Sequence, residues 1–302
     1  KKRHKKLRKV WPPSYYWFYK SWQKKALRLA QILDKQENFD VIHQLNMVGY
    51  REPGYLYEIG KPLVWGPMGG FNITPWLLLP SMGIYGALFY SFRNLINLYQ
   101  MYFSKRVKKA IIQSKMVICA TSDDTNTVQR LWGKKSIVIP EVGFIPTTQS
   151  TIIKHRINRL KICWSGLHIP RKSLNLLLEA LAICPLKNEI ELHIIGEGIC
   201  TTKWKKLSEK LRLKDVYWYG WVARDKALQI MQDSHLFVIT SLSDATSTVL
   251  LEALSLGLPI VTLNHLGFSN IVNNDCGIKI DIKSKQQVIT DLAQAIGKLC
   301  QN

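Results

Sequence analysis

No Cys-x-x-Cys pair and no Asp-x-Asp pair occurs in these 302 residues. The six cysteines (Cys119, Cys163, Cys184, Cys200, Cys276, Cys300) stand apart, mostly within apolar segments. They read as reduced core residues of a reducing compartment, which excludes a disulfide scaffold and a cysteine metal site. Without Asp-x-Asp, the usual carboxylate pair for a catalytic metal is missing as well. No charge occurs from 62 to 92, yet Pro75, Pro80, Gly83 and Gly86 break that run. No purely apolar stretch approaches the ~20 residues of a membrane span. No signal peptide opens the chain, which starts at Lys1 rather than Met, as a fragment would.

Acidic residues are scarce. Forty-two Lys/Arg face 21 Asp/Glu, a net charge of +21. Residues 1–155 carry 24 Lys/Arg against 8 Asp/Glu, and residues 156–302 carry 18 against 13. The first half is therefore expected to face something anionic: a membrane, a phosphorylated acceptor or nucleic acid. Lys1 to Lys9 is a basic run, either a solvated arm or a contact to anionic lipid. A basic nucleic-acid-binding protein is the reading from a different class. Against it, no nucleic-acid motif is present and the basic residues sit away from the glycine loops.

Hydrophobic residues at 47% suffice for real cores, and the length suffices for two domains. In the first half, strands are expected over 39–45, 62–65, 116–120 and 136–140. The second of these ends in Gly66-Pro67-Met68-Gly69-Gly70, a turn that lets backbone approach a ligand closely. From Tyr85 the pattern is helical. Leu88, Phe89, Phe92, Leu95, Ile96, Tyr99, Tyr102 and Phe103 share one face, with Arg93, Asn94, Asn97 and Gln100 opposite. That face either packs against its own domain or lies at a membrane interface. Residues 147–159 are polar and pattern-poor, so the boundary divides the chain into 1–152 and 153–302. The second part alternates apolar runs with helical segments, as in a doubly wound α/β domain with a parallel sheet.

In such a sheet, ligands sit at the carboxyl ends of the strands. Reading those ends in order gives Gly166 with Arg171 and Lys172, then Gly196-Glu197-Gly198, then Gly220-Trp221-Val222. After the fourth strand come Asp244 and a helix start at Thr246-Ser247-Thr248, with Glu252 eight residues beyond Asp244. Free N–H groups and the positive dipole end of that helix form a ready anion site. Arg171 and Lys172 suit a diphosphate clamp, and two acids suit the hydroxyls of a sugar nucleotide. With no carboxylate pair for a metal, the cations would stabilise the departing diphosphate.

These residues resemble a family 4 glycosyltransferase of the GT-B fold: α/β, two Rossmann-like doubly wound domains facing a cleft. The resemblance covers most of the chain. It is strongest over 161–280 and weaker over 39–70. It implies a retaining, metal-independent enzyme with no cofactor, whose donor is a nucleoside-diphosphate sugar. It implies that Glu252 binds the ribose and Asp244 the donor sugar. The family usually has Glu at the first position, so Asp244 is one methylene shorter. Lys172 matches the diphosphate lysine. The family arginine is Leu167 here, and Arg171 stands in for it. Gly166, Gly196, Gly198, Trp221, Val222, Thr246, Ser247 and Thr248 complete the donor side. On the acceptor side the chain is similar to the subgroup carrying Trp-Gly-Pro-x-Gly-Gly. That pattern points to Gly69 and Gly70. His43 is either an acceptor-side residue or a packed strand-end histidine. The implied acceptor is lipid-linked or a growing polysaccharide, at an anionic membrane surface on its cytoplasmic side, with no nucleic acid as partner. A sugar-nucleotide 2-epimerase of the same fold is the alternative enzyme, expected to have a more acidic first half. The family's opening strand would precede Lys1, leaving the first domain incomplete, and its closing helices would follow Asn302.

Overall fold

The computed structural model describes residues 14–45, 47–144 and 159–301. The basic run at 1–9 and nearly all of the expected linker lie outside them. The chain divides into two compact units, Lys1–Asn72 with Ile96–Glu141, and Ile73–Leu95 with Val142–Asn302. The sequence reading kept all of 1–152 together. Ile73–Leu95 goes with the second unit because its side chains meet that unit's loops: Gly86 lies against Pro170, and Arg93 donates to Ser243 Oγ at 3.4 Å.

The first unit begins with helix α1 (Ser14–Glu37) and strands β1 (Ile42–Gln44) and β2 (Leu63–Met68). Helix α2 (Gly83–Phe103) is shared by residue range between the two units. Then come α3 (Lys105–Gln113), β3 (Met116–Cys119), α4 (Ser122–Trp132) and β4 (Ile137–Val138). The four strands form one parallel sheet in the order β1-β2-β3-β4. The glycine-rich turn expected after Trp65 is largely strand, since β2 runs on to Met68 through a register shift. Gly66 is what permits this. Its φ is +135°, and a Cβ there would lie 2.1 Å from the Ile118 carbonyl oxygen of β3.

The second unit follows the expected alternation. Its elements are β5 (Leu160–Ser165), α5 (Leu174–Ile183), β6 (Ile190–Ile195), α6 (Thr201–Lys210), β7 (Val216–Gly220), α7 (Arg224–Gln232), β8 (Leu236–Ile239), α8 (Thr248–Ser255), β9 (Ile260–Leu263), α9 (Leu266–Ile271), β10 (Gly277–Ile280) and α10 (Lys285–Gln301). All pairs are parallel, in the order β10-β9-β8-β5-β6-β7. Both faces of the sheet are buried, which is why its strands read as continuous apolar runs. Ile162, Trp164, Leu236, Val238 and Val261 enter the core on one side, and Cys163, Phe237, Ile239 and Ile260 the core on the other. Counted from β5, the order is 3-2-1-4-5-6. The chain therefore reverses direction across the sheet between β5 and β8, where loops leaving the two strands diverge and open a crevice.

Helix α2 departs from the first of the two expectations for it. Its apolar face does not pack against its own domain. Tyr85 is 91% exposed, and Leu88, Phe92 and Phe103 are each about two-thirds exposed. The asparagines on the opposite face are the buried ones, both at 1%. They point inward because they cap backbone that no secondary structure satisfies. Asn94 accepts from Thr74 N at 3.0 Å and donates to Thr74 O at 2.8 Å. Asn97 donates to the carbonyls of Gly70 and Asn72.

Candidate active site

The switch point of the six-stranded sheet gathers the charged residues singled out in the sequence. After β5, a single 3-10 turn, Pro170–Lys172, presents two cations in succession. After β8, the loop 240–247 carries Asp244. The Asp244 carboxylate takes both cations: Arg171 Nη1 meets Oδ1, and Lys172 Nζ lies 2.5 Å from Oδ2. Ser241 Oγ donates to Oδ2 at 2.7 Å, and Arg171 also donates to Ser243 O at 2.8 Å. Backbone bonds tie the two loops together, with Leu242 N donating to Arg171 O at 2.8 Å. Burial and the adjacent Arg171 guanidinium push the Lys172 ammonium down to about 8, while the carboxylate it touches acts in the opposite direction.

Helix α8 starts beyond this cluster, as the sequence predicts. Ser247 is its N-cap with extended backbone, but its side chain makes no capping bond. Thr246 Oγ1 is buried and has no hydrogen-bond partner among the described residues. The first-turn N–H groups of α8 therefore lack side-chain caps, which leaves the positive end of the helix available to an anion. Four residues into the helix, Glu252 is mostly buried, and its Oε1 accepts from Arg224 Nε at 3.1 Å and Nη2 at 2.9 Å. Arg224, the first residue of α7, carries no motif in the sequence and was missed. Its partnership with Glu252 exists only through the packing of α7 on α8. Glu252, Thr248 and Arg224 line an open groove of about 820 Å³ together with Phe144, Gln229 and Leu256.

The glycines at the strand ends have a structural cause of their own. A Cβ on Gly196, whose φ is +109°, would lie 2.1 Å from Gly166 O, and one on Gly198 would lie 2.6 Å from His168 O. The loops after β5, β6 and β7 are laced by backbone bonds, Gly166 N to Ile195 O at 3.1 Å and Gly196 N to Gly220 O at 2.8 Å. Trp221 stands 71% exposed beside them, while Val222 packs against the core. His168 is buried among Trp164, Trp204 and Trp218, and burial pushes its imidazole down to about 4. It is a neutral core histidine bonded to Thr201 Oγ1 at 2.8 Å.

In the first unit, His43 is the middle residue of β1 and exposed, not packed at a strand end, and its Nε2 lies 2.9 Å from Gly66 O. Gly69 pairs with Gly49, and its backbone meets Val48 and Tyr50. Beside Gly69 lies Asp124, fully buried near the start of α4 and also missed in the sequence. It accepts from Phe71 N at 3.1 Å and Thr121 Oγ1 at 2.7 Å. Burial pushes its carboxyl up to about 6. The Thr121-Ser122-Asp123-Asp124 helix start was the available signal.

The glycosyl transferases group 1 family matches residues 148–301, the half of the chain that holds the Arg171–Lys172–Asp244 cluster and Glu252. The chain belongs to this family. Among curated relatives of this group 1 member, the phosphatidylinositol N-acetylglucosaminyltransferase GPI3 subunit of Saccharomyces cerevisiae is 28% identical over 153 residues, 50% of this chain and 33% of that protein. The lipopolysaccharide glucosyltransferase WaaG of Escherichia coli is 28% identical over 131 residues, 42% of this chain and 34% of that protein. The match thus spans about a third of each relative's length. Among solved structures, the lipopolysaccharide outer core galactosyltransferase WaaB in its apo form superposes with a TM-score of 0.65 at 16% identity, covering 92% of this chain and 71% of that one. That likeness shows the fold: two parallel-sheet α/β domains of the GT-B type.

Proposed function

We propose that this group 1 family member transfers a sugar, with retention of configuration, from a nucleoside-diphosphate sugar to a lipid-linked or saccharide acceptor. One observation carries the reading. Two cations and a carboxylate converge at the switch point, beside an uncapped helix start whose second acid lines a groove. The diphosphate belongs on Arg171, Lys172 and the α8 N-terminus, and the nucleoside in the groove with its ribose on Glu252.

In the free protein, Asp244 supplies the anion that the two cations need. An incoming diphosphate competes with it, and the released carboxylate then faces the sugar, where positive charge develops as the diphosphate leaves. The C1–O bond to the diphosphate breaks, and the acceptor oxygen bonds C1 on the same face. The acceptor proton leaves with the diphosphate. No metal is assigned a role, because protein cations can carry the leaving-group charge. Transfer should therefore proceed in the presence of a chelator.

The relatives named above act on a phosphatidylinositol and on a lipopolysaccharide by their descriptions. An acceptor of that kind suits the basic first half of this chain. The test is a thermal-shift panel of UDP, GDP, ADP and CMP, followed by donor hydrolysis with and without a membrane extract. A nucleoside diphosphate should stabilise the protein by mass action. Indifference to all four nucleotides would refute the donor site.

A further inference from the structure

Arg224 stands in a place that helix physics does not favour. It is the first residue of α7, a cation at the positive end of the helix dipole, and Ala223 before it supplies no side-chain cap. Its side chain is 67% exposed, so its ion pair with Glu252 adds little to stability. What the pair does control is which part of Glu252 a ligand can reach.

A carboxylate has about four lone-pair sites, two on each oxygen. An arginine that grips a carboxylate for strength commonly spans both oxygens with two parallel bonds. Arg224 does otherwise. Its Nε, at 3.1 Å, and its Nη2, at 2.9 Å, both donate to Oε1, which fills that oxygen. Oε2 accepts no hydrogen bond from any described residue. The Glu252 side chain is only 15% exposed. The groove that it lines with Thr248, one turn earlier on α8, gives a ligand its way in. A bare carboxylate can take both hydroxyls of a vicinal diol, one on each oxygen. This one has a single oxygen left to offer.

We propose that Arg224 determines how Glu252 reads the donor's ribose. With Oε1 held, the carboxylate accepts one of the two ribose hydroxyls on Oε2. The other hydroxyl lies on the Oε1 side. It meets only the N–H groups of a largely solvated guanidinium, which water replaces at little cost. The site therefore tolerates a nucleotide that lacks this second hydroxyl. Arg224 is a positioning residue, acting through Glu252. The inference rests on the donor reading above, which puts the ribose on Glu252.

The test is calorimetry with UDP, GDP and ADP, each as the parent and as its 2′-deoxy and 3′-deoxy forms. The proteins are the wild type, R224A, R224M and E252Q. For any parent that binds, one deoxy form should bind the wild type roughly 10- to 100-fold more weakly, and the other within about threefold of the parent. In R224A and R224M, Oε1 is open to the second hydroxyl, so the tolerated deoxy form should become roughly 10-fold weaker than the parent. R224M keeps the aliphatic stem, which guards against a folding defect in R224A. In E252Q both deoxy forms should bind within about threefold of the parent, because the charged acceptor is gone. A merely structural role for Arg224 shifts all forms of a nucleotide together. Unchanged ratios in R224A and R224M would therefore overturn the proposal, as would a wild type that discriminates against both deoxy forms or against neither. Failure of the donor reading looks different. Either no parent binds, or parents bind and E252Q alters neither affinity nor ratio, and the inference falls with it.

Discussion

Asp244→Asn separates the internal anion from the external one. The substitution keeps the shape of the side chain and removes its charge. In the free protein, Arg171 and Lys172, whose side chains are 26% and 13% exposed, then lose their counterion. Removing one partner of a buried ion pair costs about 3–5 kcal/mol, and the solvent still reaching Arg171 favours the lower end. A loss of about 3 kcal/mol lowers the midpoint by roughly 6–12 °C in a unit of this size. Nucleotide binding should move the other way. A unit charge about 4 Å away is worth roughly 4 kcal/mol at an effective dielectric of about 20. If the wild type forfeits a third of that when diphosphate displaces Asp244, the variant binds UDP about 10-fold more tightly. Turnover should fall, because no carboxylate remains to face the reacting sugar. Calorimetry with UDP and thermal unfolding with and without pyrophosphate check both signs. An unchanged midpoint together with weaker UDP binding would refute the exchange of anions.

Four further outcomes are expected. Glu252→Gln should weaken nucleotide binding about 10- to 100-fold, the roughly 1.5–3 kcal/mol of a hydrogen bond to a charged group, with kcat little changed. UDP affinity should decline as pH rises through about 8, where Lys172 is half deprotonated; calorimetry across pH 7 to 9 reads this. Asp124, with its folded-state pKa raised to about 6, binds a proton more tightly in the folded than in the unfolded chain. Stability should therefore fall by roughly 3 kcal/mol as pH rises from about 4 to about 6, and Asp124→Asn should flatten that slope in chemical denaturation. Gly196→Ala would set a methyl 2.1 Å from Gly166 O at a φ of +109°, and should cost at least 1–3 kcal/mol in the same assay.

The alternation of apolar runs with helical segments was enough to predict a doubly wound parallel sheet in the second unit, because a parallel sheet buried on both faces leaves an unbroken apolar signature. The same pattern located Arg171, Lys172, Asp244 and the start of α8, since strand ends and helix starts are local events. What local reading could not supply was the pairing of side chains across the switch point. That Asp244 neutralises both cations, and that Arg224 holds Glu252, follows from strand order and helix packing between residues 28 to 73 positions apart. Asp124 escaped notice for the same reason, as the backbone it supports at Phe71 lies 53 residues away. The face of α2 shows the limit most clearly. Its amphipathic period is plain in the sequence, but periodicity says only that the two sides differ. Which side turns inward was decided by the tertiary structure, where unpaired backbone at Thr74, Gly70 and Asn72 demands the amides of Asn94 and Asn97, and the aromatic side is left facing out.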